Sequence, residues 1–270
     1  MRSAFNHCKG ACATVEIDLN ADMGESFGAW RMGEDEALVT VVSSVNLACG
    51  FHAGDPWTMH RTVALAVEAG VAIGAHPGYR DLVGFGRRKM ELSAEEVTAD
   101  VLYQLGALDA FVRAAGAHLH HVKPHGALYN QAAEELELAL AIAQAVRAFD
   151  ARLILVGRAG SALLQAGTAC DLQVAGELFA DRRYLPSGAL APRSMPGAVI
   201  DDPKEAAQQA AQILSEHMVT AIDGTQVALT GSTLCIHGDR PHAAVFAQAV
   251  RERLEGMGIQ IAPLRRPKDG

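Results

Sequence analysis

Residues 44–75 read SVNLACGFHAGDPWTMHRTVALAVEAGVAIGA. Ser44–Ala48 is an apolar run of strand length. Asp55 follows as a helix cap, with Pro56 at the first helical position and Gly70 as the stop after Ala69. Val71–Ala75 is a second apolar run. Strand, helix and strand in roughly thirty residues form a βαβ unit, whose two strands must be parallel and covered by the helix.

The alternation continues in both directions. Val15–Asn20 reads as a strand. Ser93–Glu96 is a capping box that opens a helix carrying Val97, Val101, Leu105, Leu108, Phe111 and Val112 on one face, and Gly116 ends it. Further strands are predicted at Leu119–Val122, Leu153–Val156, Leu172–Ala175 and Thr233–Ile236, with a short last one at Ile259–Ala262. Helices are predicted over 136–149, 161–166, 203–218 and 243–257. Regular βα alternation without a linker or repeat points to one α/β domain over residues 15–270. A closed parallel β/α barrel of seven or eight strands is the simplest architecture, and a doubly wound open sheet is the alternative. Residues 1–14 precede the first strand and are expected to be a disordered extension.

The 270 residues carry 23 Lys and Arg against 31 Asp and Glu, a formal net charge of −8. No basic run is long enough to follow a phosphate backbone, which argues against nucleic acid as a partner. No apolar stretch reaches the length of a membrane span. The five cysteines, Cys8, Cys12, Cys49, Cys170 and Cys235, are odd in number and irregularly spaced, which does not describe a disulfide framework. The first fourteen residues lack the apolar core of a secretory signal, so a cytoplasmic location is expected. Cys49 is expected to be a buried small hydrophobe.

Polar residues collect just after the apolar strand cores. Asp18, Asn20, Asp22 and Glu25 follow the first strand, Asn46 and His52 the second, and His76 the third. Lys123 and His125 follow the fourth, Glu177 and Asp181 the sixth, and His237 and Asp239 the seventh. In parallel α/β folds ligands sit at the carboxyl ends of strands, so these side chains are expected to share one site. His52, His76, His125 and His237 are each followed within two residues by Gly or Pro, which lets backbone approach a ligand closely. There is no P-loop, and Gly157–Ser161 lacks the G-x-G-x-x-G pattern. There is also no G-x-S-x-G elbow.

The motifs IDLNADMGE (17–25), NLACGFHAGD (46–55), GAHPGY (74–79), HVKPHGALYN (121–130), FADRRY (179–184), PRS (192–194) and CIHGD (235–239) resemble the LamB/YcsF family over about residues 15–262. The resemblance implies a single distorted seven-stranded parallel β/α barrel, similar to the glycoside hydrolase/deacetylase superfamily. It implies ATP-dependent opening of 5-oxo-L-proline to L-glutamate, with ATP going to ADP and phosphate, by a chain that works with separate B and C subunits. ATP is the implied cofactor, bound by the complex. Two features depart from the family pattern: residues 1–14 precede its usual start, and Gly176 stands where relatives often carry an acid before Glu177.

Opening a resonance-stabilised lactam requires an activated water and fixed donors for the developing charge. The catalytic candidates are Asp18, Asp22 and Glu25 as bases, Lys123 as a point charge, and His125 and His237 as proton carriers. Lys123 and His125, two residues apart, share a face in an extended strand, so both are expected at the barrel mouth, the alternative being that Lys123 pairs with Asp18 or Asp22 purely for stability. The substrate-binding candidates are Asn20, Asn46, His52, His76, Asp181, Arg193 and Asp239. Arg182 reads equally well as a surface or salt-bridge residue.

Two other readings stay open. Asp18 or Asp22 with His52 and His76 would form an Asp-His-His set for a divalent metal, as in a deacetylase-like amide hydrolase. No H-x-x-x-H pair on a helix supports such a set, so little or no tightly held zinc is expected. The other reading is a non-catalytic lactam- or sugar-binding subunit. Homo-oligomerisation is compatible with either.

Overall fold

The structure, a computed structural model, describes residues 15–238 and 242–266. In chain order the elements are β1 (Glu16–Met23), α1 (Asp35–Leu38), β2 (Ser44–Ala48), α2 (Pro56–Ala69), β3 (Ala72–His76), α3 (Ala94–Ala114), β4 (His121–Val122), α4 (Gly126–Ala132) and α5 (Leu136–Phe149). They continue with β5 (Ile154–Arg158), α6 (Ala162–Ala169), β6 (Val174–Phe179), α7 (Pro203–Glu216), β7 (Met218–Thr220), β8 (Gln226–Ala228), β9 (Thr233–Ile236), α8 (Ala243–Glu255) and β10 (Gln260–Ile261).

Strands β1 to β6 pair in sequence order, β6 pairs with β9, and β9 returns to β1. Every one of these pairings is parallel, so seven strands close a barrel. The open doubly wound sheet is excluded by the β1–β9 ladder, in which Asp18 faces Thr233 and Ala21 faces Ile236. Strand β10 adds to the first residues of β1, and β7 with β8 forms a separate antiparallel hairpin.

Local chemistry explains the element ends. The Asp55 carboxylate accepts from Trp57 N and Thr58 N, and Gly70 leaves α2 at φ +69°. Ser93 and Glu96 form the reciprocal capping box of α3. Helix α7 stops at Glu216, short of the expected Met218, because His217 turns left-handed and Met218 pairs with Ala228. Strand β6 begins at Val174, two residues after the expected start, because Leu172 N still donates to Gly167 O at the end of α6. Strand β1 runs on to Met23, past the expected end at Asn20, because β2 pairs with it as far as Leu47. Helices α1 and α4 and the β7–β8 hairpin were not foreseen. They are short, and neither α1 nor α4 has a side-chain cap.

Side chains alternate between the two faces of a strand. In β1 the residues Ile17, Leu19, Ala21 and Met23 belong to the apolar core shared with the helices. Asp18, Asn20 and Asp22 therefore point into the barrel. There they bond one another's neighbours from β2, β6 and β9. A parallel barrel is commonly filled with aliphatic layers. This one holds a hydrogen-bonded polar network, a small separate apolar cluster forms from Ile154, Val156 and Ala175, and the main hydrophobic core is the layer between strands and helices. Among the described residues no helix is long and apolar enough to cross a membrane.

Candidate active site

The polar interior rises in tiers along β1. At the first tier, Asp18 accepts hydrogen bonds from the hydroxyls of Ser43 (2.7 Å), Ser44 (2.8 Å) and Thr233 (2.5 Å). Burial raises its pKa and these hydroxyls oppose the rise. Above it, Asn20 donates to Glu177 (3.2 Å) and Thr233 (2.6 Å) and accepts from Asn46 (2.7 Å). His121 Nε2 lies 2.8 Å from Asn46 Oδ1, and the Tyr129 hydroxyl donates to Glu177 at 2.6 Å.

Lys123 occupies the centre. Its Nζ lies 2.9 Å from Asp22 Oδ1, 2.8 Å from Glu177 Oε1, 3.3 Å from Asn20 Oδ1 and 3.1 Å from Cys235 Sγ. Burial works against charge on both Asp22 and Lys123, but their mutual attraction wins. Asp22 is held well below the usual carboxylate range, and Lys123 well above the usual amine range.

The next tier is imidazole. His76 Nδ1 lies 2.7 Å from Lys123 O, and its Nε2 faces His125 Nδ1 at 3.0 Å. His125 Nε2 lies 2.8 Å from Phe85 O. His52 stacks on His125 with ring centroids 3.8 Å apart. Glu25 Oε1 is 3.4 Å from His52 Nε2 and 3.5 Å from His125 Nδ1. Burial pushes His52 and His125 well below the usual imidazole range. Glu25, His52, His76 and His125 form a buried group able to hold a metal ion.

Over this tier opens a cavity of about 460 Å³. Asp22, His76, Lys123, His125 and His237 line it, together with Arg87, Arg158, Arg182 and Arg193. His237 Nδ1 is 3.0 Å from Asp181 Oδ1, so the imidazole donates through Nδ1. Arg182 donates to Ala191 O, and burial lowers its pKa only to about 10, which leaves it charged at neutral pH.

The LamB/YcsF family profile matches residues 17–269. The chain belongs to the LamB/YcsF family. A relative from Methylococcus capsulatus, named as the A subunit of 5-oxoprolinase, is 58% identical over 92% of this chain and 95% of its own. A Thermus thermophilus relative of the same name is 55% identical, over 92% of this chain and 99% of its own. The crystal structure of a lactam utilization protein from Thermus thermophilus superposes with a TM-score of 0.87 at 54% identity, covering 92% of this chain and 99% of that one.

In this LamB/YcsF barrel the expected site residues divide by depth. Asp22, His76, Lys123, His125, Arg193 and His237 reach the cavity. Glu25 and His52 stand behind the imidazoles, and Asp181 behind His237. Asn20 and Asn46 hold the network beneath. Asp18 does not line the cavity, and its carboxylate is held by hydroxyls from β9 and from Ser43–Ser44. Asp239 lies outside the described residues, as do Cys8, Cys12 and residues 1–14. Cys49 is buried in the core, and burial raises its pKa to about 12. The metal set also changes composition. Asp22 is engaged by Lys123 and Asn46, while Glu25 and His125 join His52 and His76.

The family motifs held signals that the candidate roles left unused. Glu177 bonds both Lys123 and Tyr129, yet the expected strand ended at Ala175 and left Glu177 outside it, whereas β6 runs to Phe179. Arg182, in FADRRY, is buried at the cavity wall instead of lying on the surface. Arg87 and Arg158 carried no periodic signal.

Proposed function

We propose that this chain is the A subunit of an ATP-dependent 5-oxoprolinase, opening 5-oxo-L-proline to L-glutamate together with the B and C subunits. The names of its relatives support the reaction class. The observation that carries the reading is one cavity lined both by four arginines and by Asp22, His76, His125 and His237.

The arginines suit the substrate carboxylate and a phosphate group, since guanidinium binds both in a fork. We assign phosphorylation of the lactam oxygen by ATP to the partners and ring opening to this chain. Phosphorylation makes the ring carbon electrophilic. Water adds to that carbon and passes a proton to His237 Nε2, while Asp181 steadies the imidazolium through Nδ1–H. The ring C–N bond breaks as nitrogen takes the proton back, leaving an open-chain acyl phosphate. A second water releases phosphate and leaves glutamate. A passive lactam- or sugar-binding protein has no use for the Asp181–His237 pair. The Glu25–His52–His76–His125 group favours a second reading, a divalent-metal amide hydrolase that acts without ATP.

The test is glutamate release from 5-oxoproline and ATP by the three-subunit complex, with and without this chain. The proposal expects release only when the chain is present. It also expects a loss of about a hundredfold or more for His237→Asn, the scale of removing one placed catalytic group. Equal release without the chain overturns the assignment. Full-rate opening by the chain alone without ATP favours the second reading.

A further inference from the structure

We propose that Glu25, His52, His76 and His125 bind one divalent transition-metal ion of the zinc, cobalt or nickel class. The four residues are buried, and their ligand atoms all lie within 4.8 Å of one another. Proximity alone does not decide the matter. The hydrogen-bond bookkeeping does.

His76 Nδ1 faces the Lys123 carbonyl at 2.7 Å, and His125 Nε2 faces the Phe85 carbonyl at 2.8 Å. A carbonyl only accepts, so these two nitrogens carry the ring protons. The remaining nitrogens, His76 Nε2 and His125 Nδ1, are then lone pairs, and they face each other at 3.0 Å. The Glu25 carboxylate adds a third acceptor, 3.5 Å from His125 Nδ1. Neither ring nitrogen of the fully buried His52 has a hydrogen-bond partner. The two ring lone pairs of His76 and His125, facing each other at 3.0 Å, repel unless a proton or a cation lies between them. A backbone carbonyl on the far N–H of a histidine is also the usual outer support of a metal-ligating imidazole.

The spacing agrees. Bonds of 2.0–2.1 Å in a tetrahedron put neighbouring ligand atoms roughly 3.3 Å apart. The separations His76–His125, His52–Glu25 and His125–Glu25 are 3.0, 3.4 and 3.5 Å. The surroundings leave room for these rings and for nothing larger. A Cβ at Gly78 would lie 2.7 Å from His52 Nδ1, and one at Gly86 would lie 2.8 Å from both His52 and His125. Three imidazoles and one carboxylate suit borderline metals rather than magnesium or calcium, which take oxygen ligands. The ligands come from the ends of β1 to β4, which is why no compact sequence motif announces them. His76 and His125 line the cavity, so the ion would sit at its floor.

The experiment uses the full chain without partners or substrate, so its failure is separate from failure of the lactam reading. Chelator-treated protein is titrated with zinc by calorimetry, and with cobalt by visible absorption. One ion per chain is expected, with a cobalt spectrum of nitrogen and oxygen ligands. Glu25→Gln and His52→Asn should each weaken zinc at least about a hundredfold, because even outer-support changes cost 10–100-fold. His60→Asn, on the exposed side of α2, should leave the affinity unchanged. Undiminished binding in Glu25→Gln and His52→Asn places the metal elsewhere and overturns the proposal. So does the absence of binding to wild-type protein, with imidazole nitrogen NMR showing one proton shared between His76 and His125. The wild-type cobalt spectrum decides the question even if a variant fails to fold.

Discussion

The Lys123 ammonium sits between the carboxylates of Asp22 at 2.9 Å and Glu177 at 2.8 Å. Two-residue spacing from His125 placed it at the barrel mouth, which is correct, since both line the cavity. The alternative of a structural pair with Asp22 also holds, and Glu177 from β6 joins it, a partner that spacing could not show. A free substrate anchor would make Lys123→Met an activity variant of normal stability. The observed geometry makes it a folding variant, because two carboxylates lose their buried counter-charge. Breaking a buried ion pair from one side costs about 3–5 kcal/mol. Chemical denaturation of Lys123→Met should show a loss of that order, and adding Glu177→Gln should recover part of it. Wild-type stability in Lys123→Met would mean that water solvates this centre.

At the scale of elements, helices with a cap signal or a longer apolar pattern were legible, and the short uncapped α1 and α4 were not. Asp55 with Pro56 and Ser93 with Glu96 marked α2 and α3. Helix α1 has no cap signal, and it is tied to β1 from within by Asp35, whose carboxylate accepts from Gly24 N at 3.0 Å. Burial raises the Asp35 pKa to about 6. A folded value above the unfolded one means that the native state holds the proton more tightly. Ionising Asp35 therefore costs stability, increasingly as pH rises from about 4 to about 6, and fully above that. Asp35→Asn keeps an acceptor for Gly24 and removes the charge. It should stabilise the protein by about 1–3 kcal/mol at pH 7.5, and the gain should vanish near pH 4. Thermal melts at the two pH values check this. Equal gains at both would show that charge is not the cause.

At the scale of the molecule, barrel closure depends on β9 meeting β1. Thr233 stitches that seam, donating to Asp18 and accepting from Asn20 at 2.6 Å. Thr233→Val keeps the shape and removes one hydrogen bond from each partner, leaving Asp18 with Ser43 and Ser44 and Asn20 with Glu177. A cost of about 1–3 kcal/mol is expected, the penalty for losing two buried hydrogen bonds. Urea unfolding should show it as a shifted midpoint with an unchanged slope. An unmoved midpoint would mean that Ser43 and Ser44 suffice for Asp18.

The sequence by itself determined the βα alternation, the parallel sheet and the end of the barrel where chemistry gathers. Those properties follow from apolar runs, caps and strand parity, all of which act within a few residues. The seven-stranded closure was implied only by the family resemblance, and tertiary structure alone decided which acids meet which bases inside the barrel. Asp18 went to hydroxyls, Asp22 to Lys123, and Glu25 to a histidine group. Each partnership joins side chains from different strands. Such pairings depend on the register of the closed barrel, and no local pattern encodes that register.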